Sequence, residues 1–243
     1  MDAMRPPGDD DALAPLAAAV DTAIPEDLAR TWSEHVARQP TLVARQGIFS
    51  AAGRTFAYEL SFRSGRPGGS DEWSAEGHES ATEHVLVEAF GHDDLEDVAG
   101  GRLVFVSCPR AYLVGDLELP DRPDRLVVEL PADLGADDAT LAGVARLRRR
   151  GFRVALPSFS DRPAQRRLLP LADFVKVDAR DLDVEGHPVV RVARSHGATL
   201  VGEYLEHPQA LACARDLGFT LFQGDLLERA GVVDRAPAGR TGR

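Results

Sequence analysis

The chain has 243 residues, 44% of them hydrophobic, and a formal net charge of -11. This length suits one large domain. The acidic balance provides no field that attracts a polyanion, so we expect neither a nucleic-acid partner nor an anionic membrane surface as partner. Cys108 and Cys213 lack the spacing of a zinc site or a disulfide framework, and no apolar run approaches the roughly 18 residues of a membrane span. We therefore expect a soluble cytoplasmic protein.

The two ends of the chain differ in composition from its middle. Residues 1–11 and 233–243 are poor in apolar side chains, and we expect both segments to be disordered. Residues 12–40 carry apolar residues at helical spacing, interrupted by Pro25, which predicts an N-terminal helical arm. The segment 64–79 is polar and rich in glycine, so it is predicted to be a mobile loop.

Between residues 41 and 232, apolar β-branched runs alternate with helical stretches, which is typical of a largely parallel sheet wrapped by helices. The runs that predict strands are Leu42–Phe49, Thr55–Phe62, Arg102–Val106, Arg125–Leu130, Phe152–Leu156, Asp173–Val177, Thr199–Gly202 and Phe219–Phe222. The intervening stretches that predict helices include Ala81–Phe90, Asp138–Arg150, Pro188–His196 and Pro208–Leu217. About eight strands alternating with helices fit an α/β barrel of this size.

Polar residues stand where most of these predicted strands end. They are Glu59, Ser107, Glu129, Ser158 (after Pro157), Lys176, Glu203 and Gln223. Because an α/β barrel presents its chemistry at the carboxyl ends of its strands, we expect these side chains to line one site.

In order and spacing, these residues resemble the motifs of the EAL domain family, which hydrolyses cyclic di-GMP. The matching segments are Glu59–Arg63 for the Glu-Ala-Leu-x-Arg signature, Phe105–Ser107 for Phe-Val-Asn, Val128–Glu129 for Thr-Glu, Asp173–Asp178 for Asp-Tyr-x-Lys-Ile-Asp, Gly202–Glu206 for Ala-Glu-Gly-Val-Glu, and Gln223–Gly224 for Gln-Gly. The resemblance implies a (β/α)8 TIM-like barrel of the EAL type with one antiparallel strand, over residues 41–232. The Tyr58-Glu59-Leu60 variant looks closest to members that carry a following HDOD domain, which is not expected here.

The resemblance also shows where this chain departs from active members. Their Asp-Asp-Phe-Gly is Pro157-Ser158-Phe159-Ser160 here, and their metal-binding Asn is Ser107. In the family, the first Asp of that motif bridges two divalent ions. Proline has no side-chain oxygen, and a neutral serine is a weak ligand for Mg²⁺. We therefore predict no bound metal and no intact catalytic set, with Mg²⁺ or Mn²⁺ as cofactor only if residual activity exists.

Several residues of the family's site nevertheless remain. The vestigial catalytic positions are Glu59, Glu129, Lys176, Glu203, Glu206 and Gln223, among which Glu59, Glu129 and Glu206 are the residual metal-ligand candidates. The resemblance implies that a ligand would be contacted by Arg63, Lys176, Glu203 and Gln223. Glu129 and Lys176 equally suit a structural ion pair inside the barrel mouth, and the residue types leave both interpretations open.

Three functions stay open at this point. The first is a catalytically inactive signalling protein that binds cyclic di-GMP, and the second is a weakly active phosphodiesterase that releases pGpG. The third is an interaction protein that binds an unidentified protein partner without the nucleotide. We slightly favour protein interaction, because glutamates without metal ions repel a dianionic ligand. A homodimer through the barrel helices is a further alternative.

Overall fold

A computed structural model describes residues 42–63, 75–90, 95–180, 182 and 186–233 of the chain. The predicted helical arm, the terminal segment 1–11 and nearly all of the predicted C-terminal tail lie outside these residues. Within the part that is described, no helix is long and apolar enough to cross a bilayer.

Eight strands form a closed barrel, as the sequence predicts, and a ninth short strand is added to it. In chain order they are β1 (Leu42–Ser50), β2 (Thr55–Arg63), β3 (Leu103–Ser107), β4 (Leu126–Glu129), β5 (Arg153–Leu156), β6 (Phe174–Asp178), β7 (Thr199–Glu203), β8 (Leu221–Phe222) and β9 (Gly231–Val232). Neighbours from β2 to β8 pair in parallel. Strand β1 closes the barrel by pairing antiparallel with both β2 and β8, and β9 pairs with β1. The predicted barrel with one antiparallel strand is confirmed.

The interior of the barrel is a small apolar core built from one residue of each strand. Successive side chains of a strand point to opposite faces, so only alternate residues reach the interior. These interior residues are Ile48, Ala57, Phe105, Val127, Ala155, Phe174, Val201 and Leu221. The rings of Phe105 and Phe174 meet edge to face with centroids 5.0 Å apart. The middle of the barrel is therefore filled with apolar side chains.

Helices cover the outside of the barrel and bury a second, larger core against the strands. They are α1 (Ala75–Phe90), α2 (Leu95–Ala99), α3 (Arg110–Val114), α4 (Asp138–Arg149), α5 (Pro163–Leu168), α6 (Gly186–Arg194) and α7 (Pro208–Asp216), with a 3-10 turn at Leu169–Leu171. Asp137 caps α4 by accepting a hydrogen bond from the backbone N–H of Thr140. A side chain at Gly143 would lie 2.2 Å from the carbonyl oxygen of Leu113. This glycine therefore permits the close approach of α4 to α3.

Two expectations about local structure need correction. Residues 64–74 of the segment assigned to a loop lie outside the described residues, and residues 75–79 belong to α1, which begins at Ala75. The first turn of α1 is polar, so apolar periodicity did not indicate a helix at these residues. The short helices α2, α3 and α5 were not predicted, because helices of five or six residues are too short to display a helical period.

Candidate functional site

The mouth of the barrel carries a ring of eight side chains, one from each strand. In every parallel strand the ring residue stands two positions after the interior residue, as Glu59 follows Ala57 and Lys176 follows Phe174. Because side chains alternate along a strand, that spacing puts both residues on the inner face of the barrel. The complete ring is Gln46, Glu59, Ser107, Glu129, Pro157, Lys176, Glu203 and Gln223.

Gln46 is the member of the ring that the sequence did not reveal. Strand β1 runs antiparallel to the other strands, so its mouth-facing residue precedes the interior residue Ile48 instead of following it. The Gln46 amide nitrogen donates to the Glu228 carbonyl oxygen over 2.9 Å, and its amide oxygen accepts from Gln223 over 3.1 Å. A search for polar residues two positions before the interior residue of an antiparallel strand would have found it.

The Lys176 ammonium lies among three glutamates of the ring. Its nitrogen is 2.6 Å from the nearest oxygen of Glu59, 3.0 Å from that of Glu129 and 3.4 Å from that of Glu203. The Lys176 side chain is only 3% exposed, so the network is screened little by solvent. The ammonium donates hydrogen bonds to Glu59 and Glu129, and Glu203 lies within ion-pair distance of it. For Glu129 and Lys176, the sequence left a structural ion pair and a ligand contact open. The observed contact between them is the ion pair.

The network shifts the protonation of its members in opposite directions. Burial, together with the Glu59 and Glu203 charges, raises the pKa of Glu129 to about 8 against the opposing effect of Lys176. Burial also acts to raise the pKa of Glu59, but the Lys176 charge and the hydrogen bonds from Lys176 and Gln223 outweigh it and lower that pKa. Burial acts to lower the pKa of Lys176, yet the three carboxylates raise it well above its ordinary value. Lys176 is therefore charged, and the Glu129 carboxyl takes up a proton more readily than an ordinary glutamate does.

The loop after β5 is fixed by hydrogen bonds to the ring and to α5. The backbone N–H and the hydroxyl of Ser158 both donate to Glu203, over 2.9 and 3.0 Å. The Gln165 amide donates to the Ser158 carbonyl oxygen and accepts from the backbone N–H of Ser160 and Arg162. Ser158 itself has a φ of 44°, in the left-handed region. The segment where the sequence lacks acidic ligands is thus ordered by its own contacts.

The ring opens into a cavity of about 420 Å³, a size typical of small-molecule sites. The structure brings nearly all of the predicted site residues to it. Those that line it are Glu59, Ser107, Glu129, Pro157, Ser158, Lys176, Glu203, Glu206 and Gln223. Pro157 is buried, whereas Ser107 and Glu206 are exposed. The remaining predicted residue, Arg63, ends β2, and its side chain lies outside the described part of the structure.

Among the residues described, no group of three His, Cys, Asp or Glu side chains lies in an arrangement that would hold a metal ion. The three ring carboxylates instead surround the Lys176 ammonium.

Comparison with known families agrees with this architecture. The family model described as EAL domain matches residues 116–230, which contain five ring residues from Glu129 to Gln223. Residues 116–230 are therefore similar to an EAL domain. The match begins after β3, so Glu59 and Ser107 lie outside the matched residues and are assigned to the site by the closure of the barrel.

The chain is also similar to curated proteins. The cyclic di-GMP phosphodiesterase CdgJ of Vibrio cholerae is 30% identical over 200 residues, which are 79% of this chain and 45% of the relative. The chain spans about half the length of the curated relatives it matches.

Two solved structures share the fold at low identity. The Bacillus subtilis YkuI protein, in complex with cyclic di-GMP and calcium, has a TM-score of 0.66 at 21% identity, covering 81% of this chain and 56% of that chain. Klebsiella pneumoniae BlrP1, in a manganese and cyclic di-GMP complex, has a TM-score of 0.61 at 23% identity, covering 82% and 58%. At this identity, the likeness supports the fold alone.

The raised pKa of Glu129 predicts a specific pH dependence of stability for the metal-free chain. The folded chain holds this proton more tightly than the unfolded chain, whose carboxyl has its ordinary pKa of 4.5. The contribution of Glu129 to stability therefore falls as the pH rises from about 4.5 to about 8. Glu129→Gln keeps an acceptor for Lys176 and removes the titrating group, so it should become more stable than wild type over this interval, by a few kcal/mol at most.

Urea denaturation in a chelating buffer across this pH range measures the effect. Glu206→Gln, at an exposed carboxylate of the same cavity, is the matched control for loss of one negative charge. A stability difference between wild type and Glu129→Gln that stays constant with pH would contradict the assignment.

Proposed function

We propose that this chain is a catalytically inactive EAL-domain signalling module that acts by binding a protein partner, cyclic di-GMP or both. The observation that supports this most is the ring position on β5. Pro157 is buried at the mouth of the barrel, where its side chain offers no oxygen to a metal ion. The family that the chain resembles has at this position the carboxylate that bridges two ions.

The other donors at the cavity do not compensate for Pro157. Ser107 and Ser158 are neutral, and Mg²⁺ and Mn²⁺ prefer anionic oxygen ligands. The ring glutamates contact Lys176, and Ser158 donates two hydrogen bonds to Glu203. The residues present therefore do not fit a pair of divalent ions, and we derive no catalytic step through such ions.

The charges of the ring bear on whether the chain binds a protein partner or cyclic di-GMP. The ring holds three glutamates and one lysine, whose ammonium is directed at all three carboxylates. Such a ring opposes a phosphodiester at the centre of the barrel. This favours a protein partner slightly, and it requires any nucleotide to bind by contacts other than a phosphate at Lys176.

A second candidate is a weakly active phosphodiesterase that cleaves cyclic di-GMP to pGpG. The presence of Glu59, Glu129 and Glu206 on the same cavity as Lys176 favours it, because these carboxylates could take one rearranged ion. The sequence relationship to a cyclic di-GMP phosphodiesterase also supports this candidate.

Calorimetric titration with cyclic di-GMP, with Mn²⁺ and in a chelating buffer, tests the proposal. We expect no heat from Mn²⁺ alone and, if the nucleotide binds, the same affinity in both buffers. Stoichiometric Mn²⁺ binding that is needed for nucleotide binding would favour the phosphodiesterase instead. Absence of nucleotide binding in both buffers would leave the protein partner as the function.

A further inference from the structure

Tyr204 is a large aromatic residue at the rim of the barrel cavity that packing does not account for. It follows directly after the ring residue Glu203 and lines the cavity. Nearly half of the residue, 47%, is exposed to solvent. A tyrosine in the hydrophobic core would be largely covered, so the apolar ring at this position is available for contact with another molecule.

The backbone at Tyr204 would suit a smaller residue better. Its φ of 55° lies in the left-handed region, which bulky side chains disfavour and glycine adopts freely. The family motif that Gly202–Glu206 resembles has glycine at this position. The conformation is held by the next residue, because the backbone N–H of Leu205 donates to the Gln223 carbonyl oxygen over 3.0 Å. The chain thus keeps an aromatic ring at a position that does not favour one.

The Tyr204 ring is also held in place from one side. The Arg180 guanidinium lies over it, 4.4 Å from the ring centroid. Arg180 is itself fixed by Asp178, through bonds of 3.0 Å from Nε and 2.6 Å from Nη2 to the two carboxylate oxygens. A ring that is oriented before binding loses less conformational entropy when a ligand stacks on it.

The residues of the barrel-mouth ring next to Tyr204 offer hydrogen-bond acceptors rather than donors. Lys176 donates to Glu59 and Glu129 and lies 3.4 Å from Glu203, and the Gln223 amide nitrogen donates to Gln46 over 3.1 Å and to Glu59 over 2.7 Å. These two bonds fix the orientation of the amide, because its oxygen would repel both acceptors. The Gln223 amide oxygen is buried and accepts no hydrogen bond from the described residues. A phosphate adds only further acceptors, whereas a ligand with N–H donors complements this surface.

We propose that Tyr204 is a base-stacking residue, and that the cavity binds the guanine end of a nucleotide instead of its phosphate. Guanine is planar and presents ring and amino N–H donors along one edge. The plane of guanine stacks on Tyr204, and its N–H groups donate to the acceptors of the barrel-mouth ring. This inference rests on the nucleotide-binding part of the proposed function.

Titration calorimetry with cyclic di-GMP and with GMP, in a chelating buffer, tests the proposal on the full chain. Tyr204→Phe keeps the aromatic ring and should bind within about twofold of wild type, whereas Tyr204→Leu keeps a branched apolar side chain and should bind about tenfold to a hundredfold more weakly. Thermal melting of all three proteins checks folding, and little change is expected because the side chain is exposed. Inorganic phosphate should not displace either nucleotide.

The outcomes separate this inference from the proposed function. If wild type binds and Tyr204→Leu, folded, binds equally well, the stacking role is overturned while nucleotide binding stands. Displacement of GMP by inorganic phosphate would overturn the preference for the base. If wild type binds neither nucleotide, the inference fails together with the nucleotide-binding part, and the protein-binding part of the proposed function is unaffected.

Discussion

Wild-type protein incubated with cyclic di-GMP and either Mn²⁺ or Mg²⁺ should release no pGpG above the rate of a heat-inactivated control. The hydrolysis needs a nucleophilic hydroxide, and a bound divalent ion lowers the pKa of water from 15.7 to about 7. Pro157, Ser158 and Ser107 supply no anionic ligand to such an ion. Loss of metal activation should therefore lower the rate by many orders of magnitude, measurable by separating pGpG from the substrate by chromatography.

Restoring the metal ligands of active family members should restore metal binding and hydrolysis. The triple variant Ser107→Asn, Pro157→Asp and Ser158→Asp should gain a thermal shift with Mn²⁺ and release measurable pGpG. The left-handed backbone at Ser158 tolerates aspartate better than most residues. Ser160→Asp adds a carboxylate to the same loop at a residue that does not line the cavity, and it should gain neither property. Hydrolysis by wild type as fast as by a folded triple variant would contradict the proposed inactivity.

Sequence patterning was sufficient to predict the barrel. The strands could be predicted because their apolar runs are separated by helical stretches. Strands β3 and β4 are examples. Their alternate side chains fill two different cores, with Phe105 and Val127 inside the barrel and Val106 and Val128 outside it. Both faces are apolar, so the strands form continuous hydrophobic runs that end in a polar residue.

The positions of the site residues could be predicted, but their contacts could not. Glu129 and Lys176 each end an apolar strand, which predicts that both face the mouth of the barrel. That one lysine reaches three carboxylates follows from the register and tilt of the strands, which a single sequence does not specify. Gln46 escaped prediction for a related reason, because its strand runs in the opposite direction.

The features most particular to this chain also required the structure. Tyr204 in sequence is an aromatic residue after a strand, and only its backbone angle and the overlying Arg180 distinguish it from a packed core residue. The two bonds from Ser158 to Glu203 could not be predicted either, because they join residues 45 positions apart in the chain. The predicted ligand contact of Arg63 stays a prediction.

Removal of the buried ammonium should be among the most destabilising single changes in this domain. Lys176→Met leaves three largely buried glutamates without their cation. Breaking a buried ion pair by removing one partner costs about 3–5 kcal/mol. Urea denaturation in a chelating buffer should show a loss of this order at about pH 8. The exposed pair Arg110 and Asp137, whose closest contact is 3.1 Å, provides the matched control, since Arg110→Met should cost about 1 kcal/mol or less.

The loss caused by Lys176→Met should depend on pH with a definite sign. Without the ammonium, the buried carboxyls keep their protons to higher pH in the folded chain than in the unfolded chain. A group whose folded pKa is raised contributes less stability as the pH rises, so the loss should be smaller at about pH 5 than at about pH 8. The double variant Lys176→Met, Glu129→Gln should recover part of the stability at about pH 8, because it removes one of the uncompensated charges. A cost no greater than that of Arg110→Met, unchanged with pH, would show that the Lys176 network does not stabilise the barrel mouth.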